Sequence, residues 1–424
     1  MNIWILNHYA TPPDTPGGTR HFDFARELTK LGHRVSIFAS SFFHGTRNEE
    51  RLEGKQNYRR QNIDGVEFVW LRTTPYYGGN DWRRVINMLS YSFRVIPLGI
   101  RFGESPDVIL ASSPHPFAGL AGYVLAKLKR AGFIFEVRDL WPQTFVDIGG
   151  YSNRSLVVKL LRVLERFLYH RAKKIIVLLP KASEYITRLG IPDSKIVYIP
   201  NGISPELFSD TSAKLPQELD DIISGLKSEA KLLVGYAGAH GIANNLDTII
   251  ETASLLQNEG VARVHFLLVG EGREKQRVIE KAKSWGLNNV TFYDSIPKYA
   301  IPTLLRSIDI AVASMNKSAL YKYGMSLNKL FDYMICARPV VWGTNSVKNP
   351  VVEANCGITV PPEEAGEMAT AIVKICELSD RERRDMGMRG HEYVTKYHSV
   401  PVLANRLLEA MEDAKQSAHP ARSC

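Results

Sequence analysis

Cysteine is scarce in this sequence, with four residues among 424. They stand at Cys336, Cys356, Cys376 and Cys424, and these separations match neither a disulfide framework nor a metal-binding motif. We therefore predict reduced thiols, as in a cytoplasmic protein, and expect no metal ion or other cofactor.

Long apolar runs are also missing, and so is the basic and apolar leader that would direct the chain to secretion. The least charged segment, residues 108–126, is interrupted by serines, prolines and a histidine at 112–116. This pattern favours a strand, a loop and a helix over a membrane-spanning helix. We expect a protein that works in the cytoplasm.

The sequence contains neither a G-x-G-x-x-G fingerprint nor a recognised nucleic-acid-binding module. These absences argue against a dinucleotide cofactor and against a nucleic-acid partner. What the chain does have is the composition of a globular protein, 45% apolar and 23% charged. Its length is too great for one core and predicts two domains of about 200 residues each.

Positive charge is concentrated in the first half of the chain. Residues 1–200 carry a formal charge of +11, and the remainder carries −2. Such asymmetry indicates that one domain faces an anionic partner, for which a membrane surface is the better candidate.

Two basic segments could meet such a surface. Residues 82–96 mix three arginines with aromatic side chains, and we predict that their helix stops near Pro97. Residues 155–174 set lysines and arginines along one stripe of a helix, opposite an apolar face. Basic helices of this kind can lie on anionic lipid. The alternative is that the apolar faces simply cover a sheet, which fits residues 155–174 at least as well.

Short apolar runs alternate with helical patterns along the whole chain, as in parallel sheets covered on both faces. In the first half, strands are predicted at 2–8, 34–39, 66–71, 108–111, 133–137, 174–179 and 196–199. In the second half, strands are predicted at 231–236, 264–269, 290–293, 310–313, 339–342 and 358–360. A polar segment at 210–230 is predicted to be a linker. The fold class is therefore α/β, with two doubly wound, Rossmann-like domains.

A glycine-rich loop, TPPDTPGG, follows the first predicted strand and precedes a helix. In this geometry Gly17 and Gly18 let backbone N–H groups approach a phosphate. Arg20 stands at the start of the helix. The alternative is a surface turn with a solvated arginine.

Three more polar residues follow predicted strand ends, where doubly wound sheets bind their ligands. His115 comes after the strand at 108–111, and Arg138 with Asp139 comes after the strand at 133–137. We take these three as candidate catalytic residues, although His115, between two prolines, fits an ordinary loop residue slightly better.

Glycines follow two successive strands in the second half. Gly238 and His240 lie in the turn after 231–236, and Gly270 lies in the turn after 264–269. Doubly wound sheets bind their ligands at such strand ends.

Residues 318–342 combine a loop around Gly324, a helix predicted at 326–337 with Ser326 as its N-cap, and a buried strand. A helix N-terminus after a loop offers free N–H groups and the positive end of the helix dipole. It can therefore hold a phosphate.

The helical spacing leaves Asn328, Lys329 and Asp332 on the polar side of this helix. Asp332, one turn into the helix, could accept hydrogen bonds from ribose hydroxyls. These residues outline a nucleotide-sugar site, and an ordinary amphipathic helix would explain the pattern equally well.

Three segments carry a resemblance to a known family: RDLWP at 138–142, YKYG at 321–324 and NKLFDYM at 328–334. The chain resembles retaining glycosyltransferase family four, and within it the fucosamine-type sugar transferases of O-antigen and capsule clusters. The resemblance covers nearly the whole chain. It implies the GT-B fold, in which two Rossmann-like domains face a cleft and a C-terminal helix crosses back to the first domain.

The resemblance also implies a division of labour between domains. Residues 1–203 would bind the acceptor, and residues 204–398 would bind the donor. Within the second range, the turns that contain Gly238, His240 and Gly270 would contact the donor nucleotide. Residues 399–424 would form the returning helix and a frayed tail.

The chain departs from the family at the acids that bind the donor. The family carries two glutamates separated by seven residues, the second lying seven positions before a proline. Counting back from Pro339 places Asp332 at the second position and Gly324 at the first. The ribose-binding acid is therefore kept, and the acid that touches the sugar is missing.

The chain also departs from the family at the cations that meet the donor diphosphate. Ala239 and Asn244 stand where the family has an arginine and a lysine. A diphosphate still needs compensating charge in a partly desolvated site. We expect Lys329, Arg20 or Arg138 to supply it.

The activity implied by the resemblance is a metal-free, retaining transfer of sugar from a nucleotide donor to a lipid-linked acceptor. We expect a UDP-linked N-acetylated hexosamine as donor and a polyprenyl-diphosphate-linked glycan as acceptor, used in surface polysaccharide biosynthesis on the inner face of the plasma membrane. Two alternatives stay open: a UDP-sugar 2-epimerase on the same fold, and a non-catalytic binding subunit, which the missing donor-site residues would fit.

Overall fold

The computed structural model describes residues 1–15, 18–44, 46–77, 82–113, 115–147, 152–209 and 213–418. The chain divides into two compact units. Unit 1 comprises Met1–Asn201 and Val400–Cys424, and unit 2 comprises Gly202–Ser399.

Strands and helices alternate through most of unit 1. Its strands are β1 (Asn2–Leu6), β2 (Arg34–Ser40), β3 (Phe42–Phe43), β4 (Asn48–Glu49), β5 (Tyr58–Ile63), β6 (Val66–Leu71), β7 (Val108–Ser112), β8 (Gly132–Val137), β9 (Lys174–Val177) and β10 (Ile196–Tyr198). The helices between them are α1 (Arg20–Lys30), α2 (Trp82–Arg101), α3 (Pro116–Lys129), α4 (Gln143–Asp147), α5 (Leu156–Arg171) and α6 (Ala182–Thr187).

The main sheet of unit 1 has the strand order β10-β9-β8-β7-β1-β2-β6-β5. Ile3 of β1 pairs in parallel with Val35 of β2 on one side and with Val108 of β7 on the other. β1 is buried along its whole length, which explains its continuous apolar sequence. β5, which pairs antiparallel with β6, was not predicted because its sequence YRRQNI is polar and largely exposed.

Unit 2 repeats the alternation. Its strands are β11 (Leu232–Ala237), β12 (Val264–Val269), β13 (Val290–Tyr293), β14 (Ile310–Ala313), β15 (Val340–Gly343) and β16 (Gly357–Val360). Its helices are α7 (Pro205–Ser209), α8 (Gln217–Ser228), α9 (Leu246–Asn258), α10 (Lys275–Ser284), α11 (Ile301–Ser307), α12 (Asn328–Ile335), α13 (Pro350–Glu353), α14 (Ala365–Glu377) and α15 (Asp380–His398). The sheet is parallel, in the order β13-β12-β11-β14-β15-β16.

The last helix, α16 (Val400–Ala418), belongs to unit 1. Its Leu403, Leu407 and Met411 are buried in the same apolar cluster as Ile3 of β1. A Cβ atom on Gly132 would stand 2.7 Å from the carbonyl oxygen of Ala414, so glycine is required where α16 crosses β8. The C-terminal helix therefore returns to the first unit, as the resemblance implied.

The predicted end of α2 and the predicted linker were wrong. α2 continues through Pro97 to Arg101 instead of stopping there. Pro97 and Phe93, whose carbonyl loses its N–H partner, are both exposed, so water can satisfy that carbonyl. The predicted linker contains α8, because Leu219 and Ile223 recur one turn apart and are buried. Among the described helices, none has the length and apolar character that crossing a bilayer requires.

Candidate functional site

The strand order of unit 2 reverses between β11 and β14, and ligands bind beyond the carboxyl ends of strands at such a point. The loop after β11 begins at Gly238. The residue after β14, Ser314, donates its hydroxyl to the carbonyl oxygens of Asn244 at 2.6 Å and Asn245 at 2.8 Å. These bonds fix the loop from β11 against the end of β14.

The two predicted glycine turns of unit 2 pack backbone against backbone. A Cβ atom on Gly270 would stand 1.9 Å from the carbonyl oxygen of Gly238, and one on Gly272 would stand 2.3 Å from that of His240. The amide of His240 also donates to the carbonyl oxygen of Glu271 at 2.8 Å. Glycine is needed here because no side chain fits between the turns.

Lys329 of α12 places its amine on the β11 loop. Its Nζ donates to the Tyr236 hydroxyl at 2.8 Å and to Asn244 Oδ1 at 2.6 Å. A Cβ atom on Gly238 would stand 3.4 Å from this nitrogen. Burial lowers the pKa of Lys329 to about 7, and the negative charge of Asp332 opposes this shift. Through its hydrogen bond to Asn244, the Lys329 amine lies beside the position where the family resemblance expects a lysine.

Asp332 lies one turn further along α12 and is half-buried. Burial raises the pKa of Asp332 to about 7, while Lys298 and Lys329 act against the rise. Within the described chain, no protein group donates a hydrogen bond to this carboxylate. It is thus available as an acceptor.

The start of α12 differs from the prediction. The helix begins at Asn328, and its N-cap is Leu327, which makes no side-chain cap, instead of Ser326. Asn328 is exposed as predicted, but Lys329 and Asp332 are half-buried and do not lie on a solvated face. The short helix packs on the core through one side and on the β11 loop through another, which covers both residues.

His240 is a buried polar side chain without a partner. Its ring is fully buried, and neither nitrogen makes a hydrogen bond within the described residues. Burial, together with the positive charge of Lys275, lowers the pKa of His240 to about 4. Because an unsatisfied buried group is costly and uncommon, the ring indicates a place where a ligand can supply the missing bond.

Gly324, predicted to precede the phosphate-binding helix, has a φ of 88°, which favours glycine. Its amide donates to the carbonyl oxygen of Tyr321 at 2.9 Å, closing the turn before α12. In unit 1, Gly18 is exposed, and Gly17 lies outside the described residues.

Arg20 is a buried member of a charged cluster in unit 1. Its Nε donates to Glu136 at 2.9 Å, and its remaining nitrogens donate to the carbonyl oxygens of Ile199 and Pro200. Burial alone would raise the pKa of Glu136, but His21 and Arg20 outweigh it and hold this pKa well below its usual range. These contacts give Arg20 a structural role, and its contact with a diphosphate stays a prediction.

The three candidate catalytic residues differ in accessibility. His115 is fully buried as the N-cap of α3, where its Nδ1 accepts from the Ala118 amide at 3.2 Å. Its Nε2 is then the protonated nitrogen and donates to His8 Nδ1 at 2.9 Å. Arg138 is half-buried and Asp139 is exposed at the end of β8. Both ring nitrogens of His115 are therefore used in hydrogen bonds within the protein, while Arg138 and Asp139 are accessible to a substrate.

Sequence reasoning missed Tyr236 and Ser314 at the site. Both stand at carboxyl ends of parallel strands, which is a usable signal. That signal selects too many positions unless the order of the strands is known. Within the described residues, no cluster of three or more histidine, cysteine or acidic side chains could hold a metal ion.

Comparison with known proteins relates both units to sugar transfer. Residues 17–202 match the glycosyl transferase 4-like domain, and residues 231–377 match glycosyl transferases group 1. WcaI of Escherichia coli strain K12, which carries the name of a colanic acid biosynthesis glycosyl transferase, is 22% identical over 330 residues, covering 75% of this chain and 78% of that protein.

Solved structures share the fold over almost the full length. Sucrose-phosphate synthase from Thermosynechococcus elongatus superposes with a TM-score of 0.73 at 16% identity, covering 96% of this chain and 97% of that one. HepE from Anabaena, solved in complex with UDP-glucose, gives a TM-score of 0.66 at 15% identity and covers 97% of this chain and 99% of that one. The chain therefore belongs to the GT-B glycosyltransferases of the family-four type.

Proposed function

We propose that this glycosyltransferase moves an N-acetylated hexosamine, with retention of configuration, from a UDP-linked donor to a polyprenyl-diphosphate-linked glycan. The proposal rests on the position of the Lys329 amine. This amine lies close to Gly238, at the point where the strand order of unit 2 reverses, and donates a hydrogen bond to Asn244. The complex of HepE with UDP-glucose and the name of WcaI support a nucleotide-sugar donor and a role in surface polysaccharide synthesis.

Each side chain of the site has a role in the proposed reaction. Lys329 compensates the diphosphate, and Asp332 accepts from the ribose hydroxyls. The bond between the anomeric carbon of the sugar and the diphosphate breaks, and its electron pair goes to the phosphate oxygen. An acceptor hydroxyl forms the new bond to that carbon and passes its proton to the departing phosphate oxygen. The Lys329 charge and the first N–H groups of α12 stabilise that oxygen, so no metal ion is needed.

The proposed place of work is the cytoplasmic face of the plasma membrane. A polyprenyl-linked acceptor is held in that membrane, so the enzyme must reach its surface. The charge of +11 on residues 1–200 supports attraction to anionic lipid.

The experiment is a two-stage assay of the purified chain. Thermal shift with UDP-, GDP- and dTDP-sugars identifies the nucleotide, and release of UDP is then measured with and without a lipid-linked acceptor. Acceptor-dependent release supports the proposal. Release with inversion at C2 of the sugar and no new glycosidic bond would replace it by an epimerase. Binding without release would replace it by a binding subunit.

A further inference from the structure

Three helices lie side by side on one face of the sheet of unit 1, with α3 in the middle. A Cβ atom on Gly99 of α2 would stand 2.8 Å from Leu125 of α3, and one on Gly119 of α3 would stand 2.9 Å from Leu168 of α5. Glycine thus permits close contact on both sides of α3. We call the outward surface of α2, α3 and α5 the three-helix face.

Large apolar side chains project from this face into solvent. Phe93 and Trp82 of α2 are 73% and 65% exposed, and Leu156, Val163 and Leu160 of α5 are 70%, 67% and 61% exposed. Others on the same helices are Val85, Ile86, Ile100, Leu120, Leu128 and Val157. Single exposed apolar residues are normal, but a concentration on adjacent helices marks an interaction surface.

The same face has no exposed carboxylate. α2 and α3 contain neither aspartate nor glutamate, and the one acid of α5, Glu165, is buried and accepts from the hydroxyls of Tyr169 and Tyr185. Exposed basic residues of the three helices are Arg83, Arg94, Arg101, Lys127, Lys159, Arg166 and Arg171. The face is therefore both apolar and uniformly positive.

We propose that the three-helix face docks on the surface of an anionic lipid bilayer, with its apolar side chains among the acyl chains and its basic side chains at the headgroups. The inference rests on the proposed lipid-linked acceptor and names the surface that meets its membrane. Basic helices with apolar faces bind anionic interfaces through these two contributions together.

The charge of the three-helix face favours an anionic bilayer over a second copy of the chain or a nucleic acid. In a symmetric dimer each face would meet its own copy, which would bring positive charge against positive charge. A nucleic acid would use the basic side chains but would leave the exposed leucines and valines without a partner. An anionic bilayer satisfies both kinds of side chain.

The test is co-sedimentation with vesicles of phosphatidylcholine, with or without phosphatidylglycerol. The basic variant carries Arg94→Gln, Lys159→Gln and Arg166→Gln. The apolar variant carries Trp82→Ser, Phe93→Ser and Leu160→Ser. Matched controls on unit 2 carry Arg273→Gln, Arg381→Gln and Lys396→Gln, or Trp285→Ser, Tyr299→Ser and Val352→Ser.

Wild-type protein should bind only the anionic vesicles and should be released by salt. The basic variant should lose roughly a hundredfold in binding, since each basic residue contributes about a factor of five near such a surface. The apolar variant should lose tenfold or more in vesicle binding, and both controls should bind like wild type. UDP-sugar affinity should stay unchanged in every variant.

Retained vesicle binding in both variants of the three-helix face would overturn the proposal. Concentration-dependent dimers of the wild type that these variants abolish would also overturn it. If the wild-type protein did not bind a UDP-sugar at all, that result would instead contradict the proposed function.

Discussion

Replacing Lys329 by methionine should weaken binding of a UDP-sugar while leaving the fold intact. The amine bonds two neutral oxygens, on Tyr236 and Asn244, so it has charge to offer an incoming diphosphate. Methionine keeps most of the apolar stem and removes the charge together with the amine's hydrogen bonds to Tyr236 and Asn244. Loss of one electrostatic contact of this kind costs about 3 kcal/mol, or roughly a hundredfold in affinity or in kcat/KM.

The pH dependence identifies the charge that is lost. The pKa of Lys329 is about 7 in the free protein, and the diphosphate binds the protonated amine. Affinity should therefore fall by about tenfold between about pH 6 and about pH 8 if no other group titrates. Asp332, whose pKa is also about 7, must be ionised to accept from ribose and acts in the opposite direction. A plot of wild-type affinity against pH should thus be bell-shaped, with its maximum near neutral pH. In Lys329→Met, affinity should only rise with pH, because Asp332 alone still titrates.

Stability distinguishes loss of a ligand contact from loss of structure. Because burial lowers the pKa of Lys329 from 10.5 to about 7, the unfolded state binds more protons between these values. Wild-type stability should therefore rise with pH through this window, and that rise should disappear in Lys329→Met. Near neutral pH the variant should be about as stable as wild type, since removing a buried charge offsets the loss of the amine's hydrogen bonds to Tyr236 and Asn244.

The assay is isothermal titration with a UDP-sugar, which lacks the terminal phosphate ionisation near pH 6. Lys322→Met is the matched control, because Lys322 also lies over a tyrosine ring, that of Tyr323, but is exposed. Affinity of Lys329→Met within threefold of wild type, or a bell-shaped profile unchanged by the substitution, would refute the assignment.

Three further predictions concern single buried or half-buried groups. Asp332→Asn should weaken UDP-sugar binding by about 1.5 to 3 kcal/mol with unchanged stability. Its pH profile should keep only the range in which affinity falls as pH rises, and titration with a UDP-sugar checks both. His240→Phe should leave the melting temperature unchanged or higher, because no hydrogen bond is lost, and should lower UDP-sugar affinity; unchanged affinity would make the ring purely structural. Glu136→Gln should destabilise unit 1 by about 3 to 5 kcal/mol in urea, because it leaves the Arg20 charge buried and uncompensated; a loss below about 1 kcal/mol would contradict that role.

Much of the architecture could be read from the sequence because parallel strands buried on both faces appear as continuous apolar runs. β12 and β13 were predicted with the bounds that the structure has, and so was β14. The failures have local causes. β5 carries a polar sequence on an edge, and α2 passes through a proline that faces solvent.

The candidate site was predicted in its parts. Gly238, Gly270, Lys329 and Asp332 were all named from turns and helical spacing, and the structure brings the first three of them together on the β11 loop. The family resemblance also named Lys329, beside Arg20 and Arg138, as a replacement for the missing cations. It could not show that the amine would lie on Asn244.

What the sequence alone determined is the kind of element at each position and which strand ends carry polar or glycine residues, because both depend on neighbours within a few residues. The tertiary structure decided which strand ends are adjacent. Lys329 donates a hydrogen bond to a tyrosine 93 residues away in the sequence, and buried Arg20 pairs with a glutamate 116 residues away. Neither contact can be predicted from neighbouring residues. The three-helix face has the same origin: periodicity predicts that α2 and α5 are amphipathic, but only the order of the strands places them on either side of α3 and leaves their outer apolar residues uncovered.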